Sequence, residues 1–168
     1  MTDGGQFQTV VLTWIHALAA VLWIGGMFFL FLVLAPVLKR GTFGADRRFL
    51  FQALARRFRV AAWVSIALLV VTGPLLIISK GGSFVEPEGL RSVQNVKLLL
   101  VTILIALTAM HDFWLGPLVG RLRKESPQAQ SSADQLLVQT TTAIARLAVL
   151  LAIAILFLAV SLRRMPII

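Results

Sequence analysis

Two histidines lie inside long apolar stretches, His16 within residues 10–38 and His111 within 96–119. An ionisable side chain in hydrocarbon is costly unless it faces the protein interior and finds a partner, so such residues mark functional positions by default. Imidazole is also the commonest ligand for transition metals and a standard axial ligand for haem iron. Lys97, Asp112 and Arg146 lie in apolar surroundings as well. The chain contains no cysteine, which excludes disulfides, thiolate redox chemistry and thiolate metal sites.

Helical spacing collects these groups into stripes, because residues three and four apart share a face. His16, Ala19, Ala20, Trp23, Gly26 and Met27 form one stripe, and Lys97, Val101, Leu104, Thr108 and His111 form another. Ser65, Thr72 and Ser79 align on a third helix, and Gln139, Thr142 and Arg146 on a fourth. Depth is counted from the basic residues that border the apolar runs. His16 stands 23 residues before Lys39, whereas His111 stands 10 before Arg121. A rise of 1.5 Å per residue then separates the two histidines by ~20 Å in depth. They are therefore not expected to ligate one metal ion, which needs both nitrogens within ~2 Å. Two levels follow, an outer one with His16, Lys97 and Ser79 and an inner one with Met27, Thr108, His111, Asp112 and Arg146. Asp112 and Arg146 at matched depth are expected to neutralise each other as a structural ion pair.

The elements that position these residues are membrane helices. Of 168 residues, 58% are hydrophobic and only 14% charged, against about 25% charge in ordinary soluble domains. Four apolar runs each exceed the ~20 residues that a spanning helix needs. The expected fold is an all-α membrane protein, a four-transmembrane-helix bundle in one domain, with helices at about 9–38, 57–79, 93–120 and 135–162. Residues 41–59 mix phenylalanines with arginines and read as a basic interfacial loop. The net charge of +9 does not point to nucleic acid, because the basic residues border the helices. Lys39, Arg40, Arg47, Arg48, Arg56, Arg57, Arg59, Arg121, Arg123 and Lys124 fall in the first and third loops, against Lys80, Arg91, Arg163 and Arg164 on the other side. Ten against four places the first and third loops in the cytoplasm and both termini outside. The first eight residues carry no basic group, so the first helix is expected to be a retained span and not a cleaved signal. No internal repeat stands out along the chain.

The stretch Trp14-Ile15-His16-Ala17-Leu18-Ala19-Ala20-Val21-Leu22-Trp23-Ile24-Gly25-Gly26 resembles the opening helix of the copper resistance protein D (CopD-like) membrane domain. Arg57-Phe58-Arg59, Val71-Thr72-Gly73, Val96-Lys97-Leu98 and Met110-His111-Asp112 continue the resemblance in order. The layout is also similar to HemJ-type protoporphyrinogen oxidases, which implies a b-type haem with His16 as ligand and Lys97 as a required residue. This chain departs from that family at Gly25-Gly26-Met27-Phe28-Phe29 and in having no tyrosine.

Three functions are open at this point. The leading expectation is a haem b-binding redox or electron-transfer protein, an oxidoreductase being one form of it. His16 would be the axial ligand and Lys97 a second ligand or propionate partner. Trp23 would line the site, and Gly25 and Gly26 would leave space for the macrocycle. Arg91 would stand near the outer mouth to pair with propionates. A quinone or another membrane redox protein would exchange electrons with it. The second reading is copper transport or resistance, with Met27 and His111 as the pair at one depth. The third is a cofactor-free subunit of a larger membrane complex or a homo-oligomer in the lipid bilayer of a bacterial-type inner membrane.

Overall fold

Apolar side chains on every face of a helix are stable only where lipid replaces water, and a spanning segment must satisfy its own backbone hydrogen bonds. The computed structural model describes residues 3–39, 47–79, 81, 82, 85, 87, 92–125 and 132–164, and it contains no strand among them. In chain order the helices are α1 (Asp3–Phe28), a six-residue π-helical segment (Phe29–Leu34), α2 (Ala35–Lys39), α3 (Arg47–Ser79) and α4 (Val93–Ala109). A second π-helical segment (Met110–Leu115), α5 (Gly116–Glu125) and α6 (Ser132–Arg164) complete the order. Four stretches are long and apolar enough to cross a membrane: Gly4–Val37, Phe49–Ser79, Val93–Arg121 and Gln135–Val160. The shortest has 26 residues and rises about 39 Å, more than the ~30 Å hydrocarbon core. Large apolar side chains such as Val21, Val60, Leu150 and Phe157 are left exposed, the arrangement expected where lipid is the solvent. The protein is an all-helical, multi-pass membrane protein.

The chain divides into two compact units, Met1–Phe84 and Val85–Ile168. In the first, α1 packs on α3, burying Ala19, Trp23 and Ile24 of the one and Ala62, Ser65, Ile66 and Thr72 of the other. The run expected as an interfacial loop is helical from Arg47 and continues directly into the second span. Residues 40–46 lie outside the described set. The helix runs on through Pro74 and stops at a glycine cap. Gly81, at φ +72°, donates to the Ile78 carbonyl and Gly82 to that of Ile77, both at 3.0 Å. This is the closing pattern that a left-handed residue after a helix permits, and glycine adopts it without steric cost.

In the second unit α4 packs on α6, and the buried set is Leu104 with Ala148, Val149, Ala152 and Ile155. Both π-helical segments run directly up to a residue followed by proline, Ala35-Pro36 and Gly116-Pro117. Proline has no N–H for the helix ladder and its ring crowds the carbonyl four residues back. The wider turn accommodates that defect, the Ala35 amide bonding to Leu30 O and the Gly116 amide to His111 O, each five residues back.

Hydroxyl side chains in the spans are satisfied in the same way throughout. Thr13, Ser65, Thr72, Thr102, Thr108 and Thr141 each donate to the carbonyl four residues earlier. That local bond removes a donor that hydrocarbon could not satisfy.

Candidate functional site

Within the first unit the polar stripes of α1 and α3 meet at one point. His16 Nδ1 lies 2.8 Å from Thr72 Oγ1. The Thr72 hydroxyl lies 2.6 Å from the Leu68 carbonyl and donates its one proton there. A hydroxyl has a single proton and two lone pairs, so toward His16 it accepts. The imidazole is therefore protonated on Nδ1 and carries its lone pair on Nε2. Thr72 is 5% exposed, and Gly73 beside it would place a Cβ 3.5 Å from His16 Cε1, an ordinary contact. The polar pattern 65–72–79 on the second span carried the signal for Thr72, because it lies about as far from the first loop as His16 does. Sequence reading placed Thr72 on the inward stripe without pairing it to the histidine.

The other end of the α1–α3 contact is set by Gly26 and Phe58. A Cβ on Gly26 would overlap the Phe58 ring, so the missing side chain admits an aromatic from α3. The expected space for a macrocycle against the Gly25-Gly26 backbone is thus filled at Gly26. Gly25 is exposed, and a Cβ added there would meet nothing within 4 Å. The two contacts fix an antiparallel register that places Trp23 at the level of Ala62 to Ser65. Trp23 is 2% exposed, and its indole Nε1 has no hydrogen-bond partner. A buried indole N–H normally finds an acceptor, so this donor is an orphan within its own unit. Met27 is half-buried one turn further along. Trp14 and Trp114, 65% and 75% exposed, stand on the outside.

The second unit holds the remaining candidates. Lys97 is half-buried near the start of α4. His111 and Asp112 lie in the π-helical segment, with His111 Nδ1 3.1 Å from Asp112 Oδ1 and the Asp112 side chain 15% exposed. Asp112 makes this contact with its chain neighbour, and Arg146 is exposed on α6. The expected partner of Asp112 is therefore replaced by His111, which the wider π turn allows to approach along the backbone. Arg91 lies outside the described residues. Among the described residues no three His, Cys, Asp or Glu side chains gather as a metal cluster; a haem iron, whose macrocycle supplies four nitrogens, needs only one or two protein ligands.

A family model for a domain of unknown function, DUF4149, matches residues 18–128. An uncharacterized protein of Aquifex aeolicus (strain VF5) is 31% identical over 111 residues, covering 66% of this chain and 72% of the relative. No solved structure matches the chain. The segment matched by the family model takes in the later part of α1, all of α3 and α4, and the basic residues of α5, so the chain belongs to the DUF4149 family.

Proposed function

We propose that this is a protein of the cytoplasmic membrane, with both termini outside, that binds b-type haem through His16 Nε2 and serves redox or electron transfer. A quinone or a second membrane redox protein would be its electron partner. One observation carries the reading: the bond to Thr72 holds the imidazole in the tautomer whose lone pair is on Nε2. Ligating histidines are typically fixed in this manner, the other ring nitrogen donating to a protein acceptor. The orphan indole N–H of Trp23, two turns from His16 on the same stripe, adds support because a bound group would supply the missing acceptor. The donor set thus fits the group at the iron ligand. The expected glycine seat does not, since Phe58 occupies it at Gly26, and the macrocycle is not assigned there. When bound, haem supplies reversible one-electron chemistry at iron. The chain's own residues orient the imidazole, keep water away with apolar walls and set the potential through the Thr72 bond.

The test is a visible spectrum of the detergent-purified protein with a pyridine haemochrome assay. A Soret band is expected in the wild type. It is lost in His16→Ala, retained in His111→Ala, and shifted in reduction midpoint in Thr72→Val. Lys97→Ala reports on the opposite axial position through the spin-state bands. A wild type without haem, or full haem in His16→Ala, overturns the proposal; metal analysis of the same sample would then separate copper handling from a cofactor-free role.

A further inference from the structure

The two units share more than their size. In each, a long helix passes into a six-residue π-helical segment directly before an X-Pro step: Phe29–Leu34 before Ala35-Pro36, and Met110–Leu115 before Gly116-Pro117. A short helix with basic residues follows, then a helix of 33 residues, Arg47–Ser79 in one unit and Ser132–Arg164 in the other. With the two prolines aligned, 81 residues apart, the most buried residues of the leading helices coincide. Trp23 and Leu104, at 2% and 0% exposure, each stand 13 residues before the proline. Lipid-facing positions coincide too: Leu18 with Leu99, Leu22 with Ile103, and Val37 with Leu118 are all exposed. The second helices share Arg59-x-Ala61-x-x-x-Ser65-Ile66-Ala67 and Arg146-x-Ala148-x-x-x-Ala152-Ile153-Ala154. Ser65 and Ala152 are each 1% exposed.

Any two membrane hairpins are apolar and helical, so composition alone would not relate them. A π-helical segment is rare and needs a local cause. Its recurrence at one place relative to proline, to the buried hub and to the exposed face fixes a common register that general apolarity does not require. We propose that the chain is a tandem duplication of one two-span hairpin, in which Lys97 holds in the second unit the position His16 holds in the first. Each of the two stands 20 residues before its proline, and each is half-buried. The first copy presents an imidazole at that position and the second an ammonium, so the pair is one site position diverged into two chemistries. Lys97 is on this account a binding position of the second unit, built for an anionic group such as a carboxylate or phosphate, and not a cation placed only to reach the membrane border. The duplication holds with or without a bound haem.

The cysteine-free chain allows single nitroxide labels in the full-length protein reconstituted in phosphatidylcholine vesicles. Depth would be read from collisions with oxygen and with a water-soluble nickel complex at Leu18, Leu22 and Val37 and at Leu99, Ile103 and Leu118. The expected result is equal depth within each aligned pair, to about one helical turn of ~5 Å. A second series displaced by more than a turn, or running in the opposite sense, overturns the repeat. Labels at His16 and Lys97 should both show lower collision with oxygen than their lipid-facing neighbours. A lipid-level oxygen collision rate at Lys97 alone would overturn its equivalence to His16. All six lipid-facing substitutions remove exposed side chains, so the depth series does not depend on disturbing the core.

Discussion

His16 Nδ1 and Thr72 Oγ1 stand 2.8 Å apart across α1 and α3, and the proton on the threonine is committed to the Leu68 carbonyl. Direction follows from that commitment: the histidine donates. Thr72→Val keeps the shape and removes the acceptor, leaving a half-buried N–H without its partner. The expected cost is about 0.5–1.5 kcal/mol, in the range of single polar contacts between membrane helices. Thermal unfolding in detergent measures it, and nitrogen NMR of labelled histidine should show the Nδ1–H preference of His16 lost. An unchanged tautomer population would refute the assigned direction.

Gly26 and Gly25 make a matched pair of opposite expectations. Gly26→Ala drives a methyl into the Phe58 ring and should destabilise by about 1–3 kcal/mol, as overpacking does. Gly25→Ala meets nothing within 4 Å and should be neutral or slightly stabilising, since alanine is the better helix former. Combining Gly26→Ala with Phe58→Ala should cost no more than Phe58→Ala alone, because the two substitutions act on one contact. Additive losses in unfolding midpoint would show that the ring is not what the glycine admits.

Asp112 is expected to couple to His111 and not to Arg146. The carboxylate lies 3.1 Å from the imidazole, whereas Arg146 is exposed. Arg146→Gln should therefore change stability by no more than about 0.5 kcal/mol, the usual range for surface substitutions. A double-mutant cycle on Asp112→Asn and His111→Gln should give a nonzero interaction energy, and the cycle on Asp112→Asn and Arg146→Gln one near zero. A reversed ranking would restore the pairing expected from depth alone.

Membrane orientation follows from ten basic residues against four. Single cysteines introduced at Thr42 and Ser83 are to be treated in intact cells with an impermeant thiol reagent. Ser83→Cys should react and Thr42→Cys should be protected until the cells are opened. Labelling of Thr42→Cys alone in intact cells would invert the topology.

Sequence alone determined that the chain crosses a membrane four times, because runs of apolar residues longer than ~20 have no other stable state in water or lipid. It also marked His16, Lys97, His111 and the 65–72–79 stripe as inward-facing, since helical spacing is a local property read directly from residue order. It did not pair them. Which hydroxyl meets His16, that Phe58 and not a ligand fills the face of Gly26, and that Asp112 turns to His111 depend on how the backbone turns and how two helices register against each other. Register is a sum of many small packing terms spread over residues far apart in the chain. The helical state of Arg47–Arg59 was hidden by its charge and aromatic content, which suit an interfacial loop and a continued helix equally well. The shared architecture of the two halves escaped sequence reading because burial, not identity, preserves it. Trp23 and Leu104 have nothing in common as letters, yet each is the most buried residue of its leading helix.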